Sequence, residues 1–523
     1  MTYALKLLLP LLVLCGIGWV AFRRSFEPLL AKREYVRAWT VIVAITIVVF
    51  LSRSLALYFC LLAVGAVWAQ SYLGGGIRGK LAAFMLILML LPPLTWQLGG
   101  LGDINYVLAL TGPRVLALML LVGPAFQLFT DRRLKREKWV APLDFAVLAY
   151  QVLKIALMVP HSSLTSSMRM VIESLLDVLL PYYVFSRGLR TESDLRFVLS
   201  HLMMGLGFVA LVGSAEFVAR HYFYSELQWV YGYKWALTLS LMRGDLLRVT
   251  ATTPEPIILA FELIFALGLW TFLRGHEWRK WPVKLMYALL LACLFCTLSR
   301  GPWIGAMVFG LSLLGLRRMS AKAFTALLLL VLGAGVVVKL VGADQVIIGG
   351  LSALFGSSKA DLDSINYRNQ LLDTALALLR QSPWLGVPDY AAQMQALRQG
   401  EGIIDLVNSY IAIALDTGVI GVALFLLPYV LCIRRMLRVP GVTRRDAGES
   451  EAGWFAAIFC AMSIALLLTI FTTSLFFTMP FLLAMLLALP IARLAIKTDS
   501  VDLPLEIKPE RGYGINGLPV ISR

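Results

Sequence analysis

The sequence has few charged residues and very few histidines and cysteines. Of its 523 residues, 15% are charged and 59% are hydrophobic, with four histidines and six cysteines. So large an apolar fraction requires a solvent that tolerates it, and many of the apolar runs are long enough to cross a bilayer. These runs do not alternate polar and apolar residues, which excludes an outer-membrane barrel. The composition therefore predicts an all-α, polytopic membrane protein.

All six cysteines lie inside apolar runs. They are Cys15, Cys60, Cys293, Cys296, Cys432 and Cys460. None is available for an extracytoplasmic disulfide framework. Cys293 and Cys296 form a C-x-x-C pair, but they have no second pair and no nearby histidine, so a buried structural role is favoured over zinc or redox chemistry.

The excess of positive charge is explained by membrane topology rather than by nucleic-acid binding. The net charge is +16, and it is concentrated in short loops between the apolar runs. The main clusters are 23–37, 78–80, 132–138, 187–196, 274–284, 317–322 and 434–445. An even number of crossings fits between successive clusters, which is the positive-inside pattern, so these loops are predicted to be cytoplasmic.

The alternation of basic loops and apolar runs predicts about fourteen spans, give or take one. The fifteen candidate runs lie near 3–22, 38–52, 54–72, 81–98, 114–130, 141–160, 170–186, 197–218, 254–273, 283–299, 301–316, 323–341, 408–433, 453–474 and 476–496. The first lacks a strong basic segment and a small-residue cleavage site, so we expect a retained span rather than a removed signal peptide. The parity predicts an outward N-terminus and a cytoplasmic C-terminus.

These spans and the loops between them divide the chain into six regions. N-terminal transmembrane helices (1–219) precede an aromatic-rich extracytoplasmic loop (220–253). Central transmembrane helices (254–341) are followed by a large extracytoplasmic loop (342–407). C-terminal transmembrane helices (408–496) precede a cytoplasmic tail (497–523) that is polar, and we expect it to be disordered.

Both outward loops have distinctive compositions. The first contains Tyr222, Phe223, Tyr224, Trp229, Tyr231, Tyr233 and Trp235. These aromatics are suited either to stacking on sugar faces or to an interfacial belt. The second contains NYRNQLLDTALALLRQSPWLGVP, whose apolar residues recur at helical spacing and predict an amphipathic helix that Pro383 and Gly386 end. Loops of this length are uncommon without a function.

Arg300 is the most informative charged residue. It stands in TLSRGPWIG between two apolar runs, where a charge is costly unless it has a role. Arg243, Arg248 and Arg368 also fall in segments predicted to face outward, against the positive-inside bias. Such arginines can extend to lipid headgroups, or their planar donors can bind phosphate or pyrophosphate bidentately.

Three motifs in this order resemble the O-antigen ligase and O-antigen polymerase superfamily. They are TLSRGPWIG, the loop segment YRNQLLDTALALLRQSPWLGVP, and VNSYIAIALDTGVIG; LLRVTATTPEPIILAFEL resembles the Arg-containing segment upstream. The resemblance covers roughly 242–427. It implies a GT-C-type glycosyltransferase in the bacterial inner membrane whose active site faces the periplasm or the outside. The donor would be an undecaprenyl-pyrophosphate-linked oligosaccharide, used without cofactor, metal or nucleotide sugar.

The resemblance assigns roles to particular residues. Arg248 and Arg300 would hold the pyrophosphate as catalytic residues, with Arg243 and Arg368 as supporting contacts. Fixed guanidinium groups stabilise the charge that grows on a leaving pyrophosphate. Asn408 would orient a sugar hydroxyl or cap a helix. Tyr367 and Trp303, which lie in the same motifs, are further candidate substrate-binding residues.

One position departs from the ligase pattern. Ligases of this superfamily carry a histidine immediately before the asparagine of the third motif, where it is thought to activate the acceptor hydroxyl; this chain has Val407 before Asn408. Polymerisation of an exopolysaccharide or O-antigen repeat unit is therefore favoured over ligation. Asp405 and Glu255 are candidate general bases, although either could instead pair with an arginine.

Two alternatives to the polymerase remain at this point. A ligase would transfer the glycan to a lipid A core or to a protein hydroxyl. A polysaccharide transporter or flippase would more often show internal repeats and charges at the midplane, and the sequence has no such repeat. Partners beyond the lipid bilayer and the lipid-linked glycan would be chain-length regulators or export proteins of a polysaccharide pathway, and no nucleic acid is expected.

Overall fold

The computed structural model describes most of the chain. The described residues are 2–99, 106–131, 138–224, 227, 231, 241–243, 245–318, 359–397, 406–443 and 450–499. The predicted span at 323–341 and the tail beyond residue 499 lie outside them.

The described residues form a helical bundle with two small antiparallel hairpins. The first helices are α1 (Thr2–Phe26), α2 (Lys32–Leu51), α3 (Leu55–Tyr72) and α4 (Gly76–Leu88). Strands β1 (Thr95–Gly99) and β2 (Tyr106–Thr111) pair, and α5 (Gly112–Thr130) and α6 (Ala141–Met158) follow. Three helical segments, Leu164–Ser174, Leu175–Leu179 and Leu180–Gly188, run on directly from one another and together are called α7.

The second half of the chain is also helical, with one short hairpin. It contains α8 (Glu192–Ala219), strands β3 (Met242–Arg243) and β4 (Leu246–Leu247), α9 (Pro256–Arg274), α10 (Trp281–Cys296) and α11 (Arg300–Arg318). The remaining helices are α12 (Lys359–Gln381), α13 (Ser409–Met436), α14 (Glu451–Thr469) and α15 (Met479–Asp499). Within the described part, ten helices are long and apolar enough to span a membrane, and α10 is a shorter apolar helix. The all-α polytopic class is confirmed.

Helices α8 and α9 form the centre of the bundle. In the apolar 18-residue stretch of each helix, 94% is buried in α9 and 89% in α8, whereas only 22% is buried in α6. The other helices pack around these two, with α11 against α14, α13 against α6, and α15 against α7. A helix that is apolar on every side belongs in such an interior position.

The two ends of the bundle differ in charge. At one end, the basic clusters meet acidic partners: Arg78 lies 3.7 Å from Asp194, Arg493 contacts Glu192 at 3.1 Å, and Arg196 pairs with Glu451. These pairs join α4, α8, α14 and α15, and because they are partly exposed each contributes little stability. We call this the basic end. The opposite end carries both hairpins and the SRG turn (residues 297–301), and we call it the loop end.

The predicted span at 81–98 is wrong in its boundaries. Helix α4 begins at Gly76 and ends at Leu88, and the chain then continues into strand β1. Pro92 and Pro93 cause this ending, because proline lacks an N–H donor and disfavours helical backbone at the preceding residue. The residues on both sides of the prolines are apolar, so the pattern of apolar residues alone did not locate the end of the helix.

Helix α13 is broken near its middle. Gly418 has φ 67° and ψ −170°, values outside the helical region. The N–H of Val419 donates to the carbonyl of Pro383 at 2.9 Å, and the N–H of Val387 donates to the carbonyl of Leu415 at 2.7 Å. The segment 382–387 therefore satisfies the backbone groups that the break leaves open. We refer to the two halves as α13a (409–417) and α13b (419–436).

The amphipathic helix predicted in the large loop is present as α12. Its residues Leu371, Ala375 and Leu378 are buried in a small separate core with Met394 and Leu415. Pro383 and Gly386 follow its end, as the sequence predicted. This core attaches the described part of the loop to α13a at the loop end.

Candidate active site at the loop end

The SRG turn connects α10 to α11. Thr297 closes α10, Leu298 has φ 48°, and Arg300 is the first residue of α11 with an exposed side chain. Positive φ in a leucine is strained, and such residues are found preferentially at functional sites. The turn therefore presents Arg300 at the loop end, as expected from its place between two apolar runs.

Two further arginines reach the same turn. The Arg248 guanidinium donates from Nε to the Thr297 carbonyl at 3.2 Å and from Nη2 to Ser299 Oγ at 3.0 Å. The Arg243 guanidinium donates from Nη1 to the Leu298 carbonyl. The β3–β4 hairpin connects the two arginines, since Arg243 pairs with Leu246 and the N–H of Arg248 donates to the Leu241 carbonyl at 2.9 Å. The structure thus brings Arg243 and Arg248 into contact with the turn that carries Arg300.

Glu216 anchors the segment that follows Arg248. Its carboxylate is fully buried and accepts hydrogen bonds from the N–H groups of Thr250, Ala251 and Phe223 at 3.2, 2.8 and 3.1 Å. Nothing in the sequence singled out this residue, since one acidic residue near the end of an apolar run is ordinary. The carboxylate fixes the backbone two residues beyond Arg248.

Tyr222 adds a second restraint on Arg248. Its hydroxyl donates to the Arg248 carbonyl at 2.7 Å. Burial raises the pKa of Tyr222 to about 12, so the phenol is protonated and able to donate at neutral pH. Arg248 is therefore held by its side chain on one side and by its backbone on the other.

The start of α13 lies close to the SRG turn through a shared neighbour. A Cβ atom on Gly301 would lie 2.2 Å from Thr472 Oγ1, so α11 approaches the end of α14 very closely there. Ser409, the first residue of α13, donates from its N–H to the carbonyl of Thr473, the residue after Thr472, at 3.0 Å. Gly301 and Gly305 are spaced like the small residues that allow close helix packing in membranes.

Asn408 caps α13. Its Oδ1 atom accepts hydrogen bonds from the N–H groups of Tyr410 and Ile411 at 3.0 and 3.3 Å. Of the two roles expected from the sequence, the structure shows the helix cap. Val407, which stands where ligases carry histidine, has φ 47°.

Backbone strain is concentrated around this site. In the described part of the chain, the residues other than glycine with positive φ are Arg220, Ala251, Leu298, Val407 and Phe477. All five occur at the loop end, in the turns that join the site's segments. Each such conformation costs about 1–3 kcal/mol, and the cost is tolerated where the surrounding structure fixes the backbone.

The remaining candidate residues have different surroundings. Trp303 donates from Nε1 to the Leu294 carbonyl at 2.9 Å, and the Tyr367 hydroxyl donates to the Leu397 carbonyl at 2.8 Å. Both bonds are intramolecular packing contacts. Glu255 is half-buried and precedes the first residue of α9. Arg368 lies within α12, but its side chain, like the whole of Asp405, is outside the described part.

The described aromatic residues of the first outward loop point into the protein. Tyr222, Phe223 and Tyr224 are 7%, 8% and 3% exposed. Tyr231 donates from its hydroxyl to the Val49 carbonyl and packs 5.9 Å from Tyr58. These four residues form neither an exposed surface for stacking on sugars nor an aromatic belt at the membrane interface. Both expectations are therefore wrong for them. Trp229, Tyr233 and Trp235 lie outside the described residues.

Comparison with known families finds one similarity. Residues 285–426 match the family model described as O-antigen ligase. This match supports the resemblance to the O-antigen ligase and polymerase superfamily. A search of curated proteins finds no match. The matched residues include the SRG turn, Asn408 and the break in α13, whereas Arg243, Arg248 and Glu216 come from the chain that precedes them.

Proposed function

We propose that this protein is a membrane glycosyltransferase that polymerises undecaprenyl-pyrophosphate-linked oligosaccharide repeat units of an exopolysaccharide or O-antigen at the outer face of the inner membrane. The observation that carries the proposal is the contact of Arg243 and Arg248 with the turn that bears Arg300. Three guanidinium groups at one partly buried turn suit an anion with two linked phosphates. The match of residues 285–426 to the O-antigen ligase family model supports the same chemistry.

The reaction would be a single glycosyl transfer. The oxygen of an acceptor hydroxyl forms a bond to the anomeric carbon of the donor glycan, and the bond from that carbon to the phosphate oxygen breaks. The electron pair remains on the pyrophosphate, which the arginines stabilise, and the hydroxyl proton passes to a base. Asp405 and Glu255 remain the proposed bases. Preorganised donors act most strongly where charge develops in a site with little water.

Ligation is the second candidate, and one observation favours it. The matching family model is described as O-antigen ligase. Val407 in the place of the ligase histidine favours polymerisation. The two functions differ in product: a polymerase lengthens the glycan on its lipid carrier, whereas a ligase transfers it to a lipid A core or to a protein hydroxyl.

The test is elongation by the purified full-length protein. Synthetic pyrophosphate-linked repeat units are supplied in lipid nanodiscs with EDTA and without nucleotide, and the products are sized by gel electrophoresis. We expect ladders of lengthened glycan from the wild type and from Arg279→Ala, an exposed arginine at the basic end. Arg300→Ala should lose about 100-fold or more of the rate. Full activity of Arg300→Ala, or dependence on added metal, would contradict the proposal.

A further inference from the structure

A groove at the basic end of the bundle gathers three arginines. It lies between the ends of α6, α13, α14 and α15 and has a volume of about 250 Å³. Arg435 belongs to the last turn of α13, Arg438 follows that helix, and Arg493 comes from α15. None of the described residues that line the groove is acidic. The groove is therefore a concentrated positive site at the end of the molecule opposite the SRG turn.

The positive charge of this groove is only partly neutralised. Glu192 is shared between two arginines, since its Oε2 atom lies 3.1 Å from Arg493 Nε and its Oε1 atom lies 3.0 Å from Arg196 Nε. Arg435 and Arg438 are exposed, and neither forms an ion pair with a carboxylate in the part of the chain that the structure describes. Two guanidinium charges thus face the groove without an acidic neighbour of their own.

Trp139 positions one of these two guanidinium groups. The guanidinium carbon of Arg435 lies 5.6 Å from the centre of the Trp139 ring, and both residues line the groove. A guanidinium that stacks on an aromatic face keeps its N–H donors in the plane of the group, where they point away from the ring. Donors arranged in this way bind the oxygens of a phosphate bidentately.

The rest of the groove is apolar and adjoins the lipid. Its apolar lining consists of Met436, Val439, Phe455 and Leu494, together with Pro440 and Ala452. Its outer wall is formed by helices that face the bilayer, because only 22% of the apolar stretch of α6 and 28% of that of α13 is buried. Its inner wall is formed by α14 and α15, whose apolar stretches are 72% and 78% buried. A ligand can therefore lie with one part among the arginines and another part in the membrane.

We propose that this groove binds the phosphate headgroup of an anionic phospholipid. Basic pockets between transmembrane helices on the cytoplasmic side suit such headgroups, and the positive-inside pattern predicts that the basic end lies on that side. A pocket that encloses a whole drug-sized ligand has roughly 300–1,000 Å³. The smaller groove fits the headgroup alone, with the acyl chains outside it along α6 and α13. The inference does not depend on the proposed function, since no residue of the groove lies at the loop end.

The test measures lipid binding to the purified full-length protein in detergent. Phosphatidylglycerol and phosphatidylcholine with the same acyl chains are titrated separately, and the bound lipids are counted by native mass spectrometry. We expect phosphatidylglycerol to bind about tenfold more tightly or better, because two arginines lack acidic partners. It should also raise the Tm, since a ligand that binds only the folded protein stabilises it. Glycerol 3-phosphate at the same concentration should leave the Tm unchanged, because it has no acyl chains.

Charge-removing variants locate the lipid. The double variant Arg435→Gln/Arg438→Gln should weaken phosphatidylglycerol binding about tenfold or more and lose most of the gain in Tm. The control Arg279→Gln/Lys280→Gln also removes two exposed charges at the basic end. Arg279 lies 5.5 Å from the centre of the neighbouring Trp278 ring, so it is stacked like Arg435 but is not part of the groove. This control should bind phosphatidylglycerol like the wild type.

A second variant tests the groove without changing its charge. Ala452 lines the groove at the start of α14, so Ala452→Leu should narrow it and weaken phosphatidylglycerol binding several-fold. Arg435 and Arg438 are exposed, and their double variant should have the Tm of the wild type when no lipid is added.

Three results would overturn the assignment. Equal affinity for the two lipids would show a contact with acyl chains only. Unchanged phosphatidylglycerol binding in both the double arginine variant and Ala452→Leu would place the lipid elsewhere on the molecule. An equal rise in Tm with glycerol 3-phosphate would indicate a site for a soluble phosphate rather than for a membrane lipid.

Discussion

Arg248 is the arginine whose placement is best defined by contacts. Its guanidinium bonds to both Thr297 and Ser299, so its planar shape matters as well as its charge. Lysine at this position keeps the charge but supplies one nitrogen that cannot reproduce both bonds. We expect Arg248→Lys to retain part of the activity and Arg248→Ala to lose about 100-fold or more in kcat/KM.

The elongation assay measures both Arg248 variants beside Arg279→Lys and Arg279→Ala. Both Arg279 variants should match the wild type, because that residue lies at the basic end. Equal activity of Arg248→Lys and the wild type would show that only charge is needed. Equal activity of Arg248→Ala and the wild type would remove this arginine from the site.

Glu216 shows how a buried carboxylate can position a site without touching a substrate. It accepts three backbone N–H bonds, and glutamine would turn an N–H₂ group toward donors that need an acceptor. We expect Glu216→Gln to lower the free energy of unfolding by roughly 2–4 kcal/mol, seen as a lower Tm in detergent, and to lower kcat as Arg248 shifts.

Glu262 provides a matched control for this carboxylate. It is equally buried, but the hydrogen bond described for it comes from the Thr478 hydroxyl, which can also donate to a glutamine oxygen. Glu262→Gln should therefore cost less stability than Glu216→Gln. If the two variants lose the same stability, the three backbone bonds are not what makes Glu216 important.

The sequence pointed to the arginines but not to what holds them. Arg300 stood out because it interrupts an apolar run, and Arg248 because it breaks the charge bias of its loop. Glu216 and Thr472 carry no such mark, since a single polar residue near a helix end is ordinary. Their roles depend largely on contacts with distant segments, since Thr250 lies 34 residues from Glu216 and Gly301 lies in another helix from Thr472, and no local pattern encodes such contacts.

Helix breaks are the feature that hydropathy locates least well. The prolines at 92–93 and Gly418 lie inside apolar stretches, so the average hydropathy stays high across each interruption. The break in α13 has a further cause that the sequence hides, because segment 382–387 supplies the missing backbone partners. Gly418 is required there: a Cβ would lie 2.1 Å from the Trp384 carbonyl oxygen, and φ is +67°.

Gly418→Ala tests the attachment of the large loop to α13. The added methyl cannot be accommodated without moving the 384–386 backbone, and it also strains the left-handed conformation. We expect a lower Tm and faster tryptic cleavage after Arg380, which follows the anchored part of α12. Gly310→Ala is the control, because a Cβ there meets no atom within 4 Å. Unchanged cleavage in Gly418→Ala would mean that the loop is held by other contacts.

The two arginines that contact the SRG turn differ in their partners from the arginines of the basic end. At the basic end, arginines pair with carboxylates that join helices, whereas at the loop end Arg243 and Arg248 bond to the backbone and hydroxyl of a turn. The charge pattern of the sequence predicted which loops are basic, but it did not predict the partners of these arginines. The cleft of about 590 Å³ between α5, α6, α7, α13b and α15 could not be predicted, since its wall is assembled from five helices drawn from both halves of the chain.

Orientation in the membrane decides whether the arginine turn can meet a carrier-linked glycan on the outer side. The positive-inside pattern predicts that the loop end faces outward. Single cysteines at Asp389, exposed near the loop end, and at Lys280, exposed at the basic end, test this in a Cys60→Ser background. We expect a membrane-impermeant maleimide to label Asp389→Cys in intact spheroplasts and Lys280→Cys only after detergent. The reverse pattern would place the three arginines on the cytoplasmic side, where a polymerase acting on exported repeat units has no substrate.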